Sequence, residues 1–286
     1  MEGLCRQAIE AAVAAGASYA DARCIDQRTE RARVKNGATD GLVDERSQGL
    51  GVRVIADGAW GFSGTADLSG ASIREAARRA VELARAAAPT VQDPVALAPL
   101  EPVTDSVTAD FEIDPGDVSQ DDRLALLMDC DRLMRREGAD LSIAYCSVLR
   151  REQHFCSSEG ASIFQERIET GAGVEATAVA EDQSHRRSYP SSHGGQVMAR
   201  GWEVVEELEL AEHAPRVAAE ARQLIDAPAC PSGRMDLILG RGQLALQVHE
   251  SCGHPIELDR VLGTEASFAG TSFLTPEKLG SFRYGS

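Results

Sequence analysis

The chain has 286 residues, 43% of them hydrophobic and 26% charged, a composition that supplies a buried core and excludes a disordered or fibrous protein. Forty-five acidic side chains against 29 basic ones give a formal charge of −16. Such a surface repels phosphate backbones, and the sequence shows no concentrated basic run, so nucleic acid is excluded as the main partner.

No apolar run approaches the roughly 20 residues that span a bilayer, and the segment from Met1 to Arg6 lacks a basic start followed by an apolar stretch. The seven cysteines (5, 24, 130, 146, 156, 230 and 252) are odd in number, scattered and without a CxxC pair. Reduced thiols, a cytoplasmic location and no membrane partner are the expectation.

Along the chain, helical periodicity at residues 4–15 ends at Gly16. Short strands are predicted at 19–25, 31–35, 41–46, 50–55 and 60–65, with Asp57-Gly58 as a turn. Residues 69–88 return to helical spacing, with Ser69 or Ser72 as N-cap. Pro89, Pro94, Pro99 and Pro102 then read as an extended connector. Residues 101–140 hold twelve acids and four arginines; flanking a predicted helix at 119–136, they read as a solvated face. A second strand set is predicted at 141–149, 154–158, 162–169 and 174–180, and residues 184–195 as an exposed loop carrying His185 and His193. Helices follow at 202–213 and 216–225, with Pro215 in the first turn of the second. A strand at 235–239 leads into a helix from about Gly242. The pattern predicts an α+β fold in two lobes, each with short antiparallel strands flanked by helices, plus a motif-bearing helix near the C-terminus. The corresponding division is an N-terminal domain at 1–88, a connector at 89–104, a second α+β region at 105–226 and the start of a C-terminal domain at 227–286.

The chemistry concentrates in His249-Glu250-Ser251-Cys252-Gly253-His254, an H-E-x-x-x-H element on the predicted helix. With six histidines in the chain, roughly 0.01 chance occurrences are expected. Two neutral imidazoles and an adjacent carboxylate are the components of a helical zinc peptidase site, ligands and general base respectively. The spacing is one residue longer than in the regular motif. At 100° per residue, positions i and i+5 lie about 140° apart on an α-helix. Convergence of His249 and His254 requires either a π-type widening or a helix end near Gly253, and Gly253 with Pro255 suits the second. Cys252 lies within reach of the same ion, but Leu244, Val248 and Cys252 form an i, i+4, i+8 row that reads as a packed face. Glu257 and Asp259 are candidates to orient a ligand imidazole. His154 and His213 read as structural.

The motif with its continuation Pro255-Ile256-Glu257-Leu258-Asp259 resembles the metal-binding signature of the TldD/PmbA metallopeptidases, also called modulators of DNA gyrase. Residues 17–23, 51–54 and 58–62 are similar to that family's N-terminal domain. The resemblance implies zinc held by His249 and His254, Glu250 as general base, hydrolysis of unfolded or modified peptides, and a dimer with a PmbA-like paralogue or with itself. It also implies a further C-terminal domain whose cysteine is a third ligand. Because the chain stops at Ser286, this reading expects a truncated chain with weak metal binding and little peptidase activity. The alternative is a non-catalytic scaffold or peptide-binding protein with an incomplete metal site.

Overall fold

Alternation of Ala20, Ala22 and Cys24 with Tyr19, Asp21 and Arg23 turns one face of a strand toward a core. That strand, β1 (Tyr19–Lys35), is the centre of the fold in the computed structural model, which describes residues 1–264, 266–281 and 283. Antiparallel partners flank it along most of its length, β2 (Ala38–Ala56) on one side and β5 (Leu141–Ser157) on the other. β3 (Ala59–Thr65) extends the sheet past β2, and β6 (Ser162–Ala180) past β5. β4 (Thr104–Val107) joins β6 in parallel, while β7 (Gln183–Tyr189) and β8 (Gln196–Met198) pair with it antiparallel. The result is one eight-stranded sheet of order β3-β2-β1-β5-β6-β4.

Helices cover one face of it. α1 (Glu2–Ala14) and α2 (Gly70–Ala87) pack on the β1–β3 half around Cys5, Ile9, Val52, Val54, Ile73 and Val81. β3 lies so close to α2 that a Cβ on Gly61 would stand 2.0 Å from the Ala80 carbonyl oxygen. α3 (Gln120–Arg136), α4 (Glu203–Glu207) and α5 (Leu210–Gln223) belong to the second core, with Leu127, Met134, Val174, Leu210 and Val217. Full burial of a side chain such as Leu127 contributes about 1.5–3 kcal/mol. Ser69 caps α2 through the Ser72 N–H, and Ser119 caps α3 through the Asp122 N–H. Even-numbered residues of β1 serve both cores, Ala20, Ala22 and Cys24 in one and Ala32 and Val34 in the other, so odd-numbered side chains take the opposite face, where Asp21 and Thr29 are buried among their neighbours and Arg23, Arg31 and Arg33 are exposed.

The α+β class expected from the sequence is found, with helices gathered on one face of an antiparallel sheet. The two expected strand sets are fused through the β1–β5 pairing, and the strands are longer than predicted. Residues 26–30 look loop-like in isolation. They remain strand because both neighbours complete the backbone ladder, and because Arg46 meets Asp26 and Arg28 meets Asp44 across the pair. Residues 184–189 of the expected loop lie in strand β7, held by antiparallel pairing with β6, and carry His185; His193 stays in a turn. The helix break falls at Glu209, with φ 45°, whereas Pro215 lies inside α5, where its ring removes one intrahelical bond near the first turn. The strand expected at 235–239 does not form: no neighbour pairs with it, and Ile238 is 96% exposed.

Residues Met1–Ala227 form one unit and Pro228–Ser286 a second. None of the described residues of the second unit is buried. The chain end, Ser286, lies outside the described residues.

Candidate metal centre

Gly240 precedes α6 (Arg241–Val248), which continues as a π-helical turn at His249–Gly253 and then a 3-10 turn at His254–Ile256. α7 (Leu258–Leu262) follows and stops at Gly263, φ 72°. The His254 N–H donates to the His249 carbonyl, an i+5 to i bond that brings the fifth residue round over the first. The widening, rather than a helix end, unites the two histidines. Gly253 keeps a right-handed φ of −60° and so gives no left-handed stop. Pro255 supplies the local reason: lacking an N–H, it cannot bond the Ser251 carbonyl as the next α-turn would need, and its ring crowds that carbonyl.

The two imidazole centroids are 4.6 Å apart at an interplanar angle of 72°. One donor atom each from His249, Glu250 and His254 lies within 4.8 Å of the others. A tetrahedral zinc with bonds of about 2.1 Å needs donors about 3.4 Å apart, a gap that exposed side chains close by small rotations. Glu250 places Oε2 3.8 Å from His254 Nε2. On the far side of that ring, Glu257 Oε1 is 2.7 Å from Nδ1. Engagement of Nδ1 leaves Nε2 as the atom available to a metal, the arrangement by which a carboxylate fixes a ligand histidine. Arg260 Nε in turn stands 2.8 Å from Glu257 Oε2, as an ion pair not aligned for a hydrogen bond. The donor set therefore fits a borderline divalent ion such as zinc.

Of the sequence candidates, His249, Glu250 and His254 come together and Glu257 supports them. Asp259 instead offers its backbone carbonyl to Thr264. Cys252 is exposed, as are Leu244 at 47% and Val248 at 51%; the expected packed row has no surface to pack on within this unit. Arg260 was not singled out from the sequence, although its i+3 spacing from Glu257 on a helical segment is a readable signal. Elsewhere His154 bonds Ser162 at 3.1 Å and His213 stacks on Tyr189 at 4.1 Å, both structural contacts.

Comparison with known proteins finds relatives over most of the chain. Residues 20–84 match the family model for PmbA/TldA metallopeptidase domain 1, and residues 113–225 that for the PmbA/TldA metallopeptidase central domain. A metalloprotease of Methanothermobacter thermautotrophicus is 27% identical over 253 residues, 88% of this chain and 53% of its own length. A metalloprotease of Methanocaldococcus jannaschii is 25% identical over 253 residues, 87% and 54% respectively. The chain thus spans about half the length of these curated relatives. Among solved structures, a Thermotoga maritima protein described as a modulator of a DNA gyrase aligns with a TM-score of 0.56 at 15% identity, covering 81% of this chain and 50% of that one. TldE from Thermococcus kodakarensis aligns with a TM-score of 0.53 at 15% identity, covering 78% and 47%. These structures share the fold, and the two family models together take in more than half of the residues. The chain belongs to the TldD/PmbA family of metallopeptidases.

Proposed function

We propose that this chain carries the metal-binding part of a zinc metallopeptidase, in which His249 and His254 hold the ion and Glu250 is the general base in hydrolysis of unfolded or modified peptides. The observation that carries the reading is the π turn, which converts a spacing unsuited to chelation into a pair of facing imidazoles. When bound, zinc polarises a peptide carbonyl and lowers the pKa of water to about 7. Glu250, exposed and adjacent to His254, takes one proton from the attacking water as its oxygen bonds the carbonyl carbon. The same carboxyl then returns that proton to the amide nitrogen as the C–N bond breaks. Glu257 keeps His254 in the tautomer with Nε2 free. By the same family reading, the protein works in the cytoplasm as a dimer, with a PmbA-like paralogue or with a second copy. Among the described residues, no helix is long and apolar enough to cross a membrane.

The competing reading is a non-catalytic, peptide-binding scaffold. It draws on the donor count, since Glu250 cannot be both third ligand and base, and catalytic zinc usually has three protein ligands. Metal content and hydrolysis of a fluorogenic unfolded peptide separate the two. The first reading expects one zinc per chain, lost in His249→Ala, and a Glu250→Gln variant that keeps zinc without turnover. In the protein as its gene encodes it, zinc bound without hydrolysis supports the scaffold, and no bound zinc rejects the peptidase.

A further inference from the structure

The sheet face opposite the helices is used by neither core. Within residues 1–227, five arginines have no carboxylate partner: Arg23, Arg31, Arg74, Arg136 and Arg151. In a chain where acids outnumber bases 45 to 29, that is an unusual state, and Arg23, Arg31 and Arg151 share this one face. Arg151 lies level with Gln27 in the β1–β5 register, so cations stand at levels 23, 27 and 31 along β1, and Lys35 continues the series. At about 3.4 Å per residue, each step is about 14 Å.

Arg23 and Arg151 are held in place without being neutralised. The Arg23 guanidinium stands 5.3 Å from the Phe155 ring centroid. Arg151 donates through Nε and Nη2 to the neutral Gln27 Oε1, at 2.8 and 2.6 Å. Outward neighbours Arg53 and Arg33 are paired, with Asp21 and Asp40. Glu45, level with Thr29, is the outward carboxylate on β1, β2 and β5 that no arginine meets. A depression lies at each end of the series. One, of about 510 Å³, is bordered by Arg23, Ile25 and Phe62 over a floor of Gly49, Gly51 and Gly64, which carry no side chains to fill it. The other, of about 420 Å³, is bordered by Arg31, Tyr145, Ser147, Glu175 and His193.

We propose that this face is a docking track for an extended acidic peptide segment, one carboxylate to each cation at every fourth residue, with flanking side chains in the two depressions. An even step keeps the acids on one side of an extended chain, and four residues of strand match the 14 Å interval, whereas four residues of helix cover only about 6 Å. A nucleic-acid strand presents a phosphate about every 3.4 Å of helix axis, several charges per guanidinium, to a molecule already at −16. An acidic peptide matches the cations one to one. The track needs no metal.

The test is fluorescence anisotropy with the full chain in EDTA, using a labelled 13-residue peptide with Glu at positions 1, 5, 9 and 13 and Ser, Thr or Val between. The acidic peptide binds, and binding weakens as NaCl rises from 50 to 500 mM. The same peptide with Lys for Glu binds at least about thirtyfold more weakly. Arg23→Gln, Arg31→Gln and Arg151→Gln each weaken binding about threefold, and the triple variant about thirtyfold. Arg74→Gln and Arg136→Gln leave it unchanged. Equal binding of the Lys peptide, native affinity in the triple variant, or equal loss in the two control variants overturns the proposal. So does displacement of the peptide by an equal concentration of a thymidine oligonucleotide, which marks a general polyanion surface. Sedimentation that shows a native dimer dissociated by the triple variant, without peptide binding, assigns the face to a second copy and overturns it too. If the triple variant fails to fold by circular dichroism, the single variants decide.

Discussion

Replacing Glu257 with alanine removes the acceptor that holds His254 by Nδ1 at 2.7 Å and frees Arg260 from its ion pair. Loss of such an outer partner costs 10–100-fold in metal affinity in buried sites. Here the His254 side chain is 27% exposed and that of Glu257 41%, so water replaces part of the lost bond and the effect falls at the low end. About tenfold is expected, equivalent to about 1.4 kcal/mol. Glu257→Gln keeps a neutral acceptor but loses the charge, and an intermediate loss of about threefold follows. Competition for zinc against a chromophoric chelator measures all three affinities, with Asp259→Ala as a control expected within about twofold of the native value. Unchanged affinity in Glu257→Ala would show that the carboxylate does not position the imidazole. An equal loss in Asp259→Ala would show that any acid removed from this helix acts through general charge, and the orientation argument would fail.

Other consequences concern burial and packing. Burial works to raise the Glu203 carboxyl, but N–H donors from Ile113 and Gly201 outweigh it and hold the carboxyl below its ordinary value of 4.5. Because the folded value is the lower one, its stabilisation is complete above the unfolded value and is lost as pH falls through the folded one. Urea titrations should therefore show the gap between native protein and Glu203→Gln shrinking from pH 6 to below pH 4, and a constant gap refutes this. Glu203→Ala strands two backbone donors and is expected to cost about 2–4 kcal/mol in the same assay. Gly61→Ala drives a methyl into the Ala80 carbonyl and should destabilise by about 3 kcal/mol; a change in urea midpoint worth less than about 0.5 kcal/mol would mean β3 shifts freely on α2. Burial pushes the Cys5 and Cys130 thiols up to about 12 and Cys146 up to about 11, while Cys230 and Cys252 are exposed. Mass spectrometry after native iodoacetamide treatment should find label at Cys230 and Cys252, and label on Cys5 would contradict the packing of α1 on the sheet.

Elements whose signal is local were readable from the sequence. Ser119 and the apolar spacing after it mark α3 because a cap and a 3.6-residue period are both properties of neighbouring residues. The metal centre was legible in part for the same reason. Angular arithmetic excluded a regular helix and left two geometries, but the left-handed stop that Gly253 permits competes with the missing donor of Pro255, and only the folded backbone decides between them. Cys252 illustrates the opposite failure, since an apolar row predicts burial only where a second surface exists to receive it.

The sheet shows where local reading stops. Polar residues 26–30 of β1 carry no strand signal of their own, and their extended state comes from partners that lie 14–22 residues away on β2 and 118–126 away on β5. The outward cations follow the same rule. Arg23 and Arg31 share a parity that any reader of a single strand can assign, whereas Arg151 joins them because β5 pairs so that position 151 meets position 27. A slip of β5 by one residue would turn Arg151 toward the helices and Arg150 outward, separating Arg150 from Asp114, with which it now pairs at 2.7 Å. The register that joins the two strand sets is thus held on the helix side of the sheet, by the burial of Ala144, Cys146 and Val148 together with this ion pair. The same register fixes the cation spacing on the other side, so the docking track is a property of the pairing and not of the composition.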